Sequence, residues 1–130
     1  MIVLTIRTDR PDAELGLYDG DRQLAHCVWL AHRQLSATIH QKIEELLTAA
    51  DKQMADVQGI VCFQGPGSFT GLRIGLSVGN ALAYGLSIPV VATQDDDWVV
   101  RGIHRLEAGD QDGLALPHYG ADANITLPRK

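Results

Sequence analysis

The stretch GPGSFTGLRIG at residues 65–75 sets the fold, because it joins two segments of different period. Before it lies the run at 57–63, apolar but for Gln58, which suits a strand covered on both faces. Gly65-Pro66-Gly67 then turns the chain sharply, and Ser68 or Thr70 stands where a side chain can cap the amides of a following helix. The loop Gly65, Pro66, Gly67, Ser68, Phe69 and Thr70 can cradle an anion on amides and a helix dipole, although a bare glycine turn is also an ordinary structural device. It lacks the lysine of a P-loop, and the spacing of Gly65, Gly67 and Gly71 does not match a dinucleotide fingerprint.

Outward from the loop, a helix is expected over about 70–86 despite its glycines. Ile74, Val78, Leu82 and Leu86 form one apolar ridge, while Gly71, Gly75, Gly79 and Ala83 form a neighbouring row without bulk. An interior glycine costs about 0.5–1 kcal/mol relative to alanine, so the row calls for another backbone at close range. A short strand follows at 88–92. Upstream, residues 1–6, 13–18 and 24–30 read as strands, the last two joined by the turn Asp19-Gly20, and Leu35, Ile39, Ile43, Leu46, Leu47 and Ala50 mark one face of an amphipathic helix. Asp95, Asp96 and Asp97 suit a helix start, with Val99, Ile103 and Leu106 on one face, although 98–103 can also read as a strand; from Gly109 onward an extended tail is expected.

The order is βββαβαβα. It is that of an α/β fold, a single RNase H-like lobe of the kind from which actin-like (ASKHA) ATPases are built, with a mixed five-stranded sheet and flanking helices. Residues 1–94 are assigned to this lobe and 95–130 to a shortened helix and tail that form no independent domain. A chain of 130 residues with 45% hydrophobic and 21% charged residues is expected to fold as one unit. A net charge of -5 opposes a principal role in gripping a phosphate backbone. No apolar stretch is long enough for a membrane span and the first residues do not resemble a signal peptide, so a cytoplasmic location is expected.

GPGSFTGLRIG as a block, followed by Ala81-Leu82-Ala83 and by Ile88-Pro89-Val90-Val91, resembles the TsaB (YeaZ) family, required for threonylcarbamoyladenosine in tRNA. The similarity runs back through 32–36 and Asp19-Gly20 to the first strand, and the ending at 119–130 resembles the close of some members. The resemblance implies a noncatalytic scaffold. It would bind the related TsaD subunit, which carries metal and nucleotide, and would work with the TsaE ATPase, meeting tRNA only through the complex. Alone, it would form a homodimer. No cofactor or metal is expected on this chain; ATP or ADP and metal are expected on the partner subunits. Mapped onto the helices, partner binding falls to Leu35, Ile39, Ile43, Gly71, Arg73, Gly75, Leu76, Gly79 and Ala83.

Two departures stand out. Arg7 occupies the place at the end of the first strand where related ATPases keep a carboxylate, and a guanidinium cannot ligate magnesium. The family also commonly has two lobes, and 130 residues accommodate the first, leaving a surface to be covered by 95–130 or by another chain. No catalytic residues are assigned: Ser36 and Ser68 lack a persuasive base, and an RNase H-like nuclease needs converging carboxylates. The alternative is a stand-alone nucleotide-binding module. Neighbouring His26 and Cys27 point to opposite strand faces, which opposes a metal site, and Cys27 and Cys62 read as buried thiols.

Overall fold

The computed structural model describes residues 1–67 and 69–118; Ser68 and residues 119–130, with the tail-end resemblance, lie outside the described residues. Strands β1 (Ile2–Arg7), β2 (Asp12–Asp19) and β3 (Arg22–Leu30) form an antiparallel meander. Helix α1 (Leu35–Ala49), strand β4 (Gly59–Phe63), helix α2 (Phe69–Leu86), strand β5 (Val90–Thr93) and helix α3 (Trp98–Glu107) complete the described order. β4 joins β1 in parallel and β5 joins β4 in parallel, so the mixed sheet runs β3-β2-β1-β4-β5. Asp19-Gly20 makes the tight turn expected of it, with Gly20 at φ 62 and its amide donating to the Met1 carbonyl at 2.9 Å.

Strand alternation distributes the helices. Leu15 and Leu17 of β2 are fully buried together with Ile39 and Ile43 of α1, while α2 lies beside α1 against β1 and β4. A Cβ added to Gly79 of α2 would run into Cys62 Sγ and sit 3.5 Å from Ile60 Cγ2. On the other face, a Cβ added to Gly102 of α3 would run into Val61, 2.7 Å from its Cγ2. Successive residues of β4 point to opposite faces. Two glycines therefore press on one strand from both sides.

This packing corrects the partner surface expected from sequence. Leu35, Ile39, Ile43, Gly75, Leu76, Gly79 and Ala83 are all buried in the chain's own core, with Ile39 and Ile43 at 0% exposure. The bulk-free row of α2 faces its own sheet: a Cβ on Gly75 would meet the Thr8 side chain, 3.0 Å from Cγ2. The close neighbours are side chains of the chain's own sheet side, Thr8 beside Gly75 and Cys62 and Ile60 beside Gly79, and not the second backbone that the spacing called for. The ridge Ile74, Val78, Leu82 and Leu86 is only half-buried.

The helix after residue 94 packs directly on the lobe. Trp98 packs edge-on against Phe63 at 5.7 Å between ring centres, and Ile103 and Leu106 belong to the same buried cluster as β1 and β4. Asp97 precedes α3 but makes no side-chain cap; instead Arg101 pairs with Asp95 at 3.5 Å and Asp97 at 3.1 Å. Residues 109–118 are without helix or strand, as expected of the tail, yet they dock on the lobe through Ala115, which is 2% exposed.

Cys62 is buried, and burial, then the charge of Asp112, pushes its thiol from 9.0 up to about 12. Cys27 is half-buried, less enclosed than the sequence suggested. Since the thiolate is the reactive form, iodoacetamide at about pH 8 is expected to alkylate Cys27 and spare Cys62 in the native chain. Mass spectrometry of the peptides checks this; equal rates at both sites would contradict it.

Candidate functional site

The glycine loop lies at the carboxyl ends of β1 and β4. Gly65 is buried at φ 114, Pro66 and Gly67 are exposed, a cis bond joins Gly65 to Pro66, and Phe69 opens α2 with Thr70 exposed beside it. A positive φ of this size suits glycine alone. Beneath the loop sits Asp9: a Cβ on Gly67 would strike Asp9 and lie 3.3 Å from its Cγ. Thr8 donates its hydroxyl to the Gly71 carbonyl at 2.7 Å, tying β1 to the first turn of α2.

Arg7 has a role inside the chain. Its Nε donates to Asp9 Oδ1 at 2.8 Å and its Nη2 to Oδ2 at 3.3 Å, while the guanidinium stacks 3.9 Å above the Phe63 ring. Arg10 approaches the same carboxylate at 3.9 Å. The Asp9 side chain is only 7% exposed, so this pair neutralises a carboxylate largely removed from water. Among the described residues no group of three or more His, Cys, Asp or Glu side chains is gathered for a metal ion; His26 pairs with Glu14 at 2.8 Å instead.

Outside the core, α1 and α2 run side by side and leave a groove of about 480 Å³ between them. Half-buried Ile74 and Val78 face it, and Ser36, His40, Thr70, Arg73 and Ser77 complete its lining. Of the residues assigned to a partner from sequence, Arg73 is exposed here and Gly71 lines the adjoining cavity of about 300 Å³. Ser36, His40, Ser77, Ile74 and Val78 were not in that set. The ridge spacing of Ile74 and Val78 was visible in the sequence, but not that it faces outward.

A mixed five-stranded sheet in this order, with α1 and α2 on one face and α3 on the other, defines a single RNase H-like lobe of the actin-like ATPase class. The family model described as TsaD: tRNA N6-adenosine threonylcarbamoyltransferase matches residues 29–109. The chain belongs to this family and is a TsaB (YeaZ) member of it. It is 30% identical over 123 residues to the tRNA threonylcarbamoyladenosine biosynthesis protein TsaB of Bacillus subtilis, covering 93% of this chain and 51% of that protein. It is 26% identical to the structure of YeaZ from Pseudomonas aeruginosa, with a TM-score of 0.68 over 82% of this chain and 50% of the other. Thermus thermophilus RuvC, in complex with a Holliday junction substrate, shares the fold alone, at 15% identity and a TM-score of 0.52 over 92% of this chain and 86% of the other. The chain thus spans about half the length of the Bacillus relative. No helix among the described residues is long and apolar enough to cross a membrane.

Proposed function

We propose that the chain serves threonylcarbamoyladenosine synthesis in tRNA as a noncatalytic scaffold, docking a TsaD-like catalytic subunit in the groove between α1 and α2. The observation that carries this reading is the groove itself: an apolar floor of Ile74 and Val78, half-buried within the lobe, rimmed by Ser36, His40, Arg73 and Ser77. Such a floor with a polar rim is the arrangement of a protein–protein contact. The name of the Bacillus relative supports the pathway, and the Arg7–Asp9 pair supports the absence of chemistry on this chain, since it commits that carboxylate to a guanidinium. Nucleotide and metal then belong to the partner subunits, including a TsaE-like ATPase, and tRNA is met through the complex. In isolation the same groove closes on a second copy.

Co-expression with the organism's TsaD homologue followed by size-exclusion chromatography tests the proposal. Co-elution is expected, and Val78→Arg is expected to abolish it while the chain still unfolds cooperatively, because Val78 is only half-buried at the groove and the long arginine stem can carry its charge out to solvent. Unchanged co-elution of Val78→Arg would remove the groove from the interface. Light scattering of the chain alone is expected to report a dimer; a clean monomer at micromolar concentration would overturn self-pairing.

A further inference from the structure

Residues 110–118 leave α3 and run as a strap past β5 and α2 to the glycine loop. Arg105 holds the start, its Nε on Asp110 Oδ2 at 2.7 Å and its Nη2 on Asp112 Oδ1 at 2.5 Å. The Asp112 amide donates to the Val90 carbonyl at 2.9 Å, and Asp112 Oδ2 accepts from the Ala92 amide at 2.7 Å, so Asp112 caps two backbone groups of β5. Asn80 of α2 then grips Ala115 twice: its Nδ2 donates to the Ala115 carbonyl at 3.0 Å and its Oδ1 accepts from the Ala115 amide at 2.8 Å. Gln64 holds the far end, donating from Nε2 to the Leu116 carbonyl at 3.0 Å and accepting the His118 amide on its own carbonyl at 2.8 Å.

The strap is seated by hydrogen bonds far more than by apolar burial. Ala115 is its buried side chain, while Leu114 and Leu116 remain 58% and 59% exposed. An intramolecular hydrogen bond nets only about 0.5–1.5 kcal/mol, so a seat of this kind belongs to the readily opened part of a fold. Its far end nevertheless reaches a sensitive point. A Cβ on Gly65 would collide with the His118 carbonyl and stand 2.9 Å from Leu72 Cδ1, and Leu72 is fully buried in α2. The strap's end, the glycine loop and the opening of α2 converge there. Gln64, which carries two of the strap's bonds, immediately precedes Gly65 and is itself fixed by its amide on the Thr93 carbonyl at 2.8 Å and by Gln94 Nε2 on its Oε1 at 2.9 Å.

We propose that this strap is a latch on the glycine loop: docked, it presses Gly65 against Leu72 and fixes the opening of α2; released, it frees both together. The surface that α2 presents beside Thr70 and Arg73 is thereby coupled to a segment on the far side of the loop. The coupling rests on the geometry of Gln64, Gly65 and His118 and is independent of which partner uses the groove.

Hydrogen exchange followed by mass spectrometry on the full chain tests the latch. Asn80→Ala combined with Ala115→Arg removes the central grip and expels the buried methyl. The amides of Asp112, Ala115 and His118 are expected to exchange at least about tenfold faster, and those of Gln64 and of residues 73–76 to accelerate with them, while α1 stays unchanged. Arg105→Gln, which opens the opposite end, is expected to give the same pattern at smaller amplitude. Faster exchange confined to 110–118 in both variants would overturn the latch, as would a strap that stays protected after losing these anchors.

Discussion

Replacing Gly79 by leucine is expected to abolish folding of the chain itself, ahead of any effect on a partner. A first carbon there already runs into Cys62 Sγ and lies 3.5 Å from Ile60 Cγ2, and three more carbons have no space between α2 and β4. Even Gly79→Ala is expected to cost about 1–3 kcal/mol by overpacking, with a melting temperature lower by roughly 3–5 °C for each kcal/mol. Ser77→Leu, on the exposed side of the same helix, serves as the control and is expected to melt within a few degrees of the parent. Soluble yield and thermal unfolding by circular dichroism read the difference. A Gly79→Leu chain with the parental melting temperature would contradict the packing of the row against β4.

Removing the Arg7 guanidinium is expected to be the next most damaging change. Arg7→Ala strands the Asp9 carboxylate, 7% exposed beneath Gly67, with Arg10 at 3.9 Å as the remaining cation among the described residues, and it also removes the cation stacked on Phe63. Losing one partner of a buried pair costs about 3–5 kcal/mol, reduced here to about 2–4 kcal/mol because the Arg7 side chain keeps 19% exposure and Arg10 can move closer. Arg7→Ala with Asp9→Ala removes the orphaned charge, so the double variant is expected to be more stable than Arg7→Ala alone. Urea unfolding of the set measures the coupling. An Arg7→Ala chain within about 0.5 kcal/mol of the parent would show that the pair is not held as described.

The strands and helices were legible because each carries one clear period. The meander was marked by Asp19-Gly20, α1 by Leu35, Ile39 and Ile43, and β4 by a run buried at every position. What periodicity cannot supply is direction. Both rows of α2 repeat at helical spacing, and the spacing alone does not tell which faces the sheet; the bulk-free row turned inward because Thr8 and Cys62 already fill the space on the strand side. Arg7 was singled out as a departure, but its neighbour two residues on, Asp9, had to be brought beside it by the bend after β1 before the pair could be seen. The strap was invisible for another reason. Its bonds join Asn80 to Ala115 and Gln64 to Leu116, separated by 35 and 52 residues, largely through backbone atoms that leave no compositional trace.

Strand β4 sits between Gly79 on one face and Gly102 on the other, with Cys62 and Val61 as the side chains that meet them. In that slab volume can only be traded, never added: a larger residue on the strand demands a smaller one on the helix, and both helices are already at the minimum. Gly102→Ala should therefore be rescued by Val61→Ala, and Gly79→Ala by Cys62→Ala, each rescue specific to its own face. Growth at Val61 or Cys62 is thereby tied to the helix facing each, and neither helix has volume left to give up.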